Sequence, residues 1–323
     1  RTRHSRGGRA VAGARWRVRA ARVRGSGGCG RQTWPVQFQL SDVAAATGGR
    51  IDQAAAGVVI DGASIDSRAI ATGQLFVPVV ADRDGHDFIA AAAAAGAAAT
   101  LAATGPGAAA AASAGLPAVT VADTTDALAA LGRAARARID GPVVGITGSV
   151  GKTSVKDLTA AALRTAFVTA ASERSFNNEL GVPLTLVNAA DATEVAVVEM
   201  GARGEGHIAA LCAIARPTVG VVTRVAPAHL ELFGSVEAVA RAKGELIEAL
   251  PADGGVAVLN ADDPLVLAMA ARAAGRVLTY GTDGDVRAER VVLDERARPS
   301  FEVVTPWGSA PVRLAVTGAH MVA

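Results

Sequence analysis

Lysine, cysteine and aromatic residues are scarce in this sequence. Of its 323 residues, three are lysine, two are cysteine and 3% are aromatic, whereas 50% are hydrophobic. The two cysteines, Cys29 and Cys212, lie far apart without metal-type partners nearby, which excludes a disulfide framework and indicates a reducing compartment. We therefore expect a cytoplasmic protein with a substantial apolar core. The chain is long enough for two or three domains.

Long hydrophobic runs of the membrane type are also missing. The stretch 88–122 carries no charge, but alanine and glycine dominate it and Gly105-Pro106-Gly107 interrupts it. It has too few large apolar side chains to partition into lipid, so we expect no membrane insertion.

Acidic residues are absent from positions 1–35, which hold ten arginines. The rest of the chain has 22 basic and 30 acidic residues, so the formal net charge of +2 comes from this arm alone. Arginines interrupt every apolar run, which argues against a secretory signal, whereas a nucleic-acid tail or a transit peptide stays an alternative. We interpret 1–35 as a disordered or non-native extension. For the protein as a whole we expect no nucleic-acid partner, and we expect a monomer.

Residues 36–140 have the pattern of a small α/β domain. Apolar runs at 57–60, 75–80 and 118–121 predict strands. Helices are predicted after the capping residues Ser41, Asp87 and Asp123, the first of them ending at Gly48 and the last two spanning 88–95 and 124–138.

Residues 141–323 alternate between strand and helix signals. The predicted strands are followed in turn by predicted helices: 143–147 and 152–164, 194–199 and 205–215, 219–223 and 236–250, 256–259 and 264–273. This alternation predicts an α/β domain with a doubly wound, mainly parallel sheet. Further strands at 286–293, 301–305 and 311–316 are expected to form an antiparallel edge of that sheet.

A glycine-rich turn follows the strand predicted at 143–147. The sequence there is VVGITGSVGKTSVKDL, which misses the strict P-loop spacing by one residue because Gly145 comes too early. A strand, a small-residue turn and a helix nevertheless provide backbone N–H groups for phosphate, with Lys152 to neutralise charge and the Thr153 hydroxyl to bind Mg²⁺. The predicted ATP-binding residues are Gly148, Ser149, Val150, Gly151, Lys152, Thr153 and Ser154.

Lysine scarcity favours this interpretation over a glycine turn with a solvated lysine. Arginine provides nearly all positive charge elsewhere, so a lysine in the turn indicates chemistry. Lys156, one helical turn further on, is expected to be solvated, and composition alone favours the same for Lys243.

Two more polar residues are expected at the same edge of the sheet. Glu199 ends a buried strand and His229 follows the next one, and the carboxyl ends of parallel strands meet at one edge. Glu199 is therefore a candidate Mg²⁺ ligand, with a cap or a surface residue as the alternative. His229 is a candidate metal ligand or substrate contact, with a structural histidine as the alternative.

Several motifs in order resemble the Mur ligase family of ATP-dependent peptidoglycan ligases. They are Asp66-Ser67-Arg68, DGHDF at 84–88, TGSVGKTS at 147–154, FNNELGVPLTL at 176–186, VEMGA at 198–202, PAHLELFGS at 227–235, RAKGE at 241–245 and LNADDP at 259–264. Within the family, the FNNELGVPLTL, EMGA and AHLE runs resemble the members that add D-alanyl-D-alanine to UDP-N-acetylmuramoyl-tripeptide. The resemblance implies a UDP-binding N-terminal domain at 36–140 and a central P-loop-type ATPase domain at 141–323.

The resemblance also implies roles for individual residues. Thr153, Glu199 and His229 would help to bind two Mg²⁺ ions, and Lys243 matches a lysine that CO₂ converts to a carbamate, which would make it a metal ligand. Asn260 matches a residue near adenine, while Ser67 and Arg68 match the uridine-diphosphate pocket. Asn177 and Asn178 match positions that hold the nucleotide-sugar peptide and phosphates. Lys152, His229 and Lys243 are the predicted catalytic residues.

The chain departs from the family pattern at several positions. Val150, Arg224 and Met321 stand where Asn is common, and His207 stands where Glu is common. The family's third domain, which helps to bind ATP and the incoming amine, is expected to be missing after Ala323. The alternatives are another ligase of the superfamily, including a tripeptide-forming member or folylpolyglutamate synthase, a P-loop switch or binding module, and a catalytically silent truncated homologue.

Overall fold

The computed structural model describes residues 37–227 and 230–322, without the side chains of Leu230 and Leu232. The predicted extension at 1–35 and His229 lie outside these residues. The described residues belong to one compact unit, and a single large hydrophobic cluster draws on both sides of residue 141. The division into domains at 140 and 141 therefore stays a prediction.

The N-terminal region, residues 37–140, folds as an α/β layer. Its elements are β1 (Gln37–Gln39), α1 (Leu40–Thr47), β2 (Arg50–Ile51), β3 (Val59–Asp61), β4 (Ala63–Ser64), β5 (Leu75–Phe76), α2 (Ile89–Ala94), β6 (Ala99–Ala103), α3 (Pro106–Ser113), β7 (Ala118–Val121) and α4 (Thr124–Arg136), with short 3₁₀ turns at Gln53–Ala55 and Gly85–Phe88. Five strands form a sheet of order β2-β7-β6-β5-β4, parallel except for the β2–β7 pair. Strands β1 and β3 pair separately.

Two of the three predicted helix caps in this region are wrong. Helix α1 begins earlier than Ser41, because Leu40 is fully buried in the core and the Asp42 carboxylate accepts a hydrogen bond from the Gln39 N–H at 3.1 Å. Asp84, not Asp87, caps the turn before α2, and its carboxylate accepts from the His86 N–H at 2.9 Å. Asp123 caps α4 as predicted and accepts from the N–H groups of two first-turn residues.

The central region, residues 143–280, contains a six-stranded sheet. Its elements are β8 (Val143–Thr147), α5 (Lys152–Arg164), β9 (Thr169–Ala171), α6 (Gly181–Val187), β10 (Val195–Glu199), α7 (His207–Ala215), β11 (Val219–Val222), α8 (Leu230–Phe233), α9 (Val236–Glu248), β12 (Val256–Asn260), α10 (Pro264–Leu267) and β13 (Arg276–Tyr280), with a 3₁₀ turn at Ala268–Arg272. The strand order is β13-β12-β11-β8-β10-β9, and each neighbouring pair is parallel. The predicted doubly wound, mainly parallel α/β sheet is confirmed.

Strand register brings the predicted site residues to one edge. Glu199 at the end of β10 pairs with Ile146 of β8, and Val222 at the end of β11 pairs with Thr147. The turn after β8 therefore lies between the carboxyl ends of its two neighbours. This is the edge at which open α/β sheets bind their ligands.

The C-terminal strands do not extend the central sheet. Strands β14 (Arg287–Leu293), β15 (Pro299–Thr305) and β16 (Gly308–Arg313) form a separate antiparallel sheet, followed by a 3₁₀ turn at Ala319–Met321. The prediction of antiparallel pairing was right, but the prediction of a sheet edge was wrong. The two edges are taken by β13 and β9, parallel strands that the sequence analysis missed.

Helix packing joins the N-terminal and central regions. Helix α4 packs against α6 and α7, and a Cβ at Gly132 of α4 would come within 2.5 Å of Pro183 of α6. A hydrogen-bonded link lies nearby, because the Asn188 side chain accepts from the Ala63 N–H at 2.8 Å and donates to the Ala63 C=O at 3.0 Å. The amide thus binds the backbone of β4 much as a neighbouring strand would.

Replacement of Asn188 by Ala tests this link. The Asn188→Ala variant leaves the Ala63 N–H and C=O without their partner, and we expect the free energy of unfolding to fall by about 1–3 kcal/mol, measured by urea denaturation. Asn188→Asp keeps the acceptor but places a carboxylate oxygen against the Ala63 C=O, so its loss should be at least as large. An unchanged urea midpoint in both variants would contradict the role of this link.

Candidate active site

The turn between β8 and α5 is shaped by glycine. Gly148 has a φ of +150° and Gly151 a φ of +87°, conformations that residues with a Cβ seldom adopt. A Cβ at Gly148 would also overlap the hydroxyl of Thr223. The turn can therefore lie directly against the end of β11.

Four hydrogen bonds fix this turn to the loop after β11. The Ser149 N–H donates to the Arg224 carbonyl at 2.7 Å, and the Thr223 hydroxyl donates to the Val150 carbonyl at 2.6 Å. The Ser149 hydroxyl donates to the Ala226 carbonyl and accepts from the Ala226 N–H, both at 3.1 Å. Val150 is 62% exposed, so its contribution to the turn is its backbone, as expected for the position where Asn is common.

Lys152 begins α5 and bends back over the turn. Its Nζ donates to the Gly148 carbonyl at 2.8 Å. Burial lowers the pKa of Lys152, and the negative charge of Glu199 acts in the opposite direction. The ammonium is thus partly desolvated beside the phosphate-type turn, where an anion could replace the carbonyl as its partner.

Glu199 is buried and hydrogen bonded on both carboxylate oxygens. Thr153 of α5 donates its hydroxyl to Oε2 at 2.9 Å, and Asn177 donates its Nδ2–H to Oε1 at 2.8 Å. Thr153, Asn177 and Glu199, which the sequence predicts as site residues, are therefore joined by hydrogen bonds although they come from separate parts of the chain. Ser154, the next residue of α5, is exposed and lies beyond this cluster.

A cavity of about 240 Å³ opens above the turn and collects most of the other predicted residues. Lys152, Lys243, Asn177 and Asn178 line it together with Gly148 and Ser149. Among the residues that sequence reasoning did not assign to the site, Arg203 and His207 line the same cavity. They follow Glu199 closely in the chain, a signal that could have pointed to them.

Lys243 is not solvated, contrary to what composition alone favours. It lies on α9 with 5% of its surface exposed, and burial lowers its pKa to about 8, with a further contribution from the positive charge of Lys152. A lysine with such a pKa supplies an appreciable fraction of neutral amine near neutral pH.

Asn178 has a structural partner besides its place in the cavity wall. Its Oδ1 accepts from the N–H groups of Leu180 and Gly181 at 3.3 and 3.0 Å, where α6 begins. The Asn177 carbonyl accepts from the Gly201 N–H at 2.7 Å. The two asparagines thus hold their own segment in place, and both line the cavity.

Asn260 lies at the same sheet edge but not in this cavity. It ends β12, and its Nδ2–H donates to the Thr223 carbonyl at 3.0 Å while its Oδ1 accepts from the Asp262 N–H at 2.9 Å. The predicted contact with adenine stays a prediction.

Ser67 and Arg68 line a second cavity of about 510 Å³ in the N-terminal region. Arg68 forms a bidentate pair with Asp66 at 2.8 and 2.9 Å, and these hydrogen bonds lower the pKa of Asp66 to about 2. Arg83, another residue that sequence reasoning missed, lines the cavity and stacks on the Phe88 ring at 4.6 Å. The structure therefore places these predicted residues apart from the turn at 148–151.

The predicted metal ligands are described only in part. Thr153 and Glu199 lie together, Lys243 lines the cavity, and His229 falls outside the described residues. In the part of the chain that the structure describes, no group of three or more His, Cys, Asp or Glu is placed to hold a metal ion. Within those same residues, every helix is too short or too polar to span a membrane.

Comparison with known proteins identifies the family. The sequence profile of the Mur ligase middle domain matches residues 146–323, which is more than half of the chain. The chain belongs to the Mur ligase family. The match includes the turn at 148–151, Glu199 and Lys243, and the family resemblance noted from the sequence motifs is confirmed.

Relatives of this Mur ligase include UDP-N-acetylmuramoyl-tripeptide–D-alanyl-D-alanine ligases. It is 43% identical over 319 residues to the UDP-N-acetylmuramoyl-tripeptide–D-alanyl-D-alanine ligase of Mycobacterium tuberculosis, covering 89% of this chain and 61% of the relative. A crystal structure of MurF from Acinetobacter baumannii superposes with a TM-score of 0.77 at 29% identity, covering 88% of this chain and 62% of that one. MurF from Thermotoga maritima in complex with ADP gives a TM-score of 0.65 at 31% identity, covering 80% and 58%. The chain thus spans about three fifths of the length of these proteins.

The coupling between Glu199 and Lys152 can be measured directly. Because Glu199 favours the charged form of Lys152, a Glu199→Gln variant should lower the pKa of Lys152 further. With only three lysines, NMR of lysine-labelled protein resolves each titration. Glu248→Gln, which removes a negative charge paired with Arg272, is the control and should leave Lys152 unchanged. An unaltered Lys152 titration in Glu199→Gln would contradict this geometry.

Proposed function

We propose that this protein is an ATP-dependent ligase that joins D-alanyl-D-alanine to UDP-N-acetylmuramoyl-tripeptide in peptidoglycan precursor synthesis. The observation that carries the proposal is the single cavity in which Lys152, Lys243 and Asn177 meet beside the bonded pair of Thr153 and Glu199. The names of the relatives support the choice of substrates.

The reaction needs two steps, because a carboxylate is a poor acyl donor. The γ-phosphoryl group of ATP is transferred to the terminal carboxylate of the tripeptide, so that the bond to ADP breaks and an acyl phosphate forms. The amine of D-alanyl-D-alanine then attacks the acyl carbon, phosphate leaves, and the amine loses a proton as the amide bond forms. Catalysis of this kind depends on positioning and on stabilising charge.

The turn at 148–151 and the start of α5 supply the phosphate site. Backbone N–H groups at a helix N-terminus attract phosphate oxygens, and Lys152 would exchange the Gly148 carbonyl for a phosphate oxygen. Residues Gly148, Ser149, Val150, Gly151, Lys152, Thr153 and Ser154 would thus bind ATP. Asn260, at the end of β12 on the same sheet edge, would lie toward the adenine.

The residues present fit magnesium. Mg²⁺ prefers oxygen ligands, and the Thr153 hydroxyl and the Glu199 carboxylate lie side by side at the sheet edge. When bound, Mg²⁺ would neutralise charge on the nucleotide phosphates. His229 and a carbamate on Lys243 would complete the ligands for two ions.

The cavity at 65–88 would hold the uridine diphosphate. Ser67 and Arg68 line it, and Arg83 adds a positive charge that is not paired with Asp66. A nucleotide sugar bound there extends through its peptide, and Asn177 and Asn178 would meet the reacting end of that peptide in the cavity above the turn.

The ligase activity is tested by phosphate release. We expect release from MgATP to require both UDP-N-acetylmuramoyl-tripeptide and D-alanyl-D-alanine, in this chain or in one extended to the length of the relatives. Lys152→Met should reduce the rate by about 100-fold or more, since it removes a charge from the transferring phosphoryl group. Arg164→Met, which removes an exposed charge from the same helix, should not. Phosphate release that is independent of both acceptors would contradict the ligase proposal.

A carbamate on Lys243 is tested by ¹³C NMR in labelled bicarbonate. The neutral amine attacks CO₂ and releases a proton, and its fraction rises as the pH passes through the lowered pKa of about 8. The carbamate signal should therefore grow between about pH 7 and pH 9. It should be absent in Lys243→Met and retained in Arg164→Met. A spectrum that is the same in wild type and Lys243→Met would rule out the modification.

A further inference from the structure

Lys156 is buried, although the sequence predicts a solvated residue. Only 2% of its side chain is exposed, on α5 one turn after Lys152. Its Nζ donates to the Ser172 and Arg174 carbonyls, both at 2.8 Å, and lies 3.1 Å from a carboxylate oxygen of Asp157. An ammonium has three N–H donors, and each has an acceptor here.

Full pairing of this kind is what the burial of an ammonium requires. A buried ammonium is costly unless every donor is paired, and well-packed apolar side chains often replace buried charges without loss of stability. The reaction described above does not use Lys156. The two carbonyl groups that Lys156 binds therefore indicate its role.

Both carbonyls belong to the segment 172–178, which links β9 to α6. Within it, Arg174 has a φ of +45°, a conformation that costs energy for any residue other than glycine and persists only where the surroundings hold it. Lys156 bonds directly to the carbonyl of this residue. The ammonium therefore stabilises the turn in the segment.

The same segment carries two contacts to Glu199. The Ser172 hydroxyl accepts from the Glu199 N–H at 3.2 Å, and the Asn177 amide donates to the Glu199 carboxylate at 2.8 Å. Ser172 is buried and its hydroxyl also accepts from Thr185 at 3.3 Å. A shift of the segment would thus move Ser172 and Asn177, two of the partners of Glu199, together.

We propose that Lys156 is a positioning residue that fixes the segment 172–178, and through it the Asn177 and Glu199 side chains, in the phosphate site. Helix α5 then holds both halves of the site, with Lys152 over the turn at 148–151 and Lys156 behind the segment. Lys156 acts through its neighbours and does not touch the nucleotide.

Hydrogen exchange in this chain tests the proposal without relying on activity. We compare wild type, Lys156→Met and Lys156→Arg, together with Leu116→Ala as a control that reduces stability in a separate cluster of the N-terminal region. In Lys156→Met, the amides of Phe176, Glu199 and Gly201 should exchange about tenfold faster or more. Each of these N–H groups donates to an acceptor in the segment 172–178, and the variant removes the two hydrogen bonds from Lys156 that hold this segment. Amides of β12 should keep their rates, and Lys156→Arg should restore part of the protection. Leu116→Ala should leave the three amides unchanged.

A second measurement rests on the proposed function. Isothermal titration of ADP with and without Mg²⁺ should show that Lys156→Met loses most of the affinity that Mg²⁺ adds, whereas Leu116→Ala does not. If wild type binds no ADP, the proposed function fails and the exchange data still decide the role of Lys156.

Clear outcomes would overturn the positioning role. Unchanged exchange at Phe176, Glu199 and Gly201 in folded Lys156→Met would do so, as would an equal acceleration of these amides and those of β12. If Lys156→Met does not fold, Lys156→Gln replaces it, since glutamine keeps two N–H donors without the charge. The same local pattern is then expected with a smaller acceleration, and its absence would overturn the proposal.

Discussion

A buried carboxylate with a hydrogen-bond donor on each oxygen holds the candidate site together. Glu199 ends β10, Thr153 belongs to the first turn of α5, and Asn177 lies on the segment before α6. An unpaired charge at this depth would be strongly destabilising, so these elements can pack only in an arrangement that brings both donors to Glu199. The arrangement that satisfies the carboxylate is also the one that forms the cavity above the turn at 148–151.

The three lysines of the chain lie around this site. Lys152 lies over the turn, Lys156 lies behind the segment 172–178, and Lys243 faces Lys152 from α9. Burial lowers the pKa of Lys243 and the positive charge of Lys152 lowers it further, and a positive charge in the cavity wall also attracts phosphate and carboxylate groups. The charge of Lys152 therefore adds to the effect of burial on Lys243 and makes the cavity wall more positive.

The position of the second cavity depends on a different set of contacts. Packing of α4 on α6 and α7, with Asn188 bound to the backbone of β4, fixes the N-terminal sheet relative to the central one. The cavity at Ser67 and Arg68 is thereby held on the same body as the cavity at Lys152. Two cavities with basic side chains in their walls are thus held on one body.

Local sequence signals determined the elements around the turn at 148–151. The predicted bounds of β8 and α5 agree with the structure, because an apolar run, a glycine turn and a helical period are all encoded by neighbouring residues. The parallel sheet followed from the alternation of such signals, and parallel order alone brought Glu199 to the edge where Lys152 lies. Tertiary structure decided what depends on distant partners: the burial of Lys156 against the 172 and 174 carbonyls, the separation of β14–β16 from the central sheet, and the meeting of Asn177 with Glu199. These contacts join residues far apart in the chain, and hydrogen-bond pairing and burial across such distances leave no periodic pattern in the sequence.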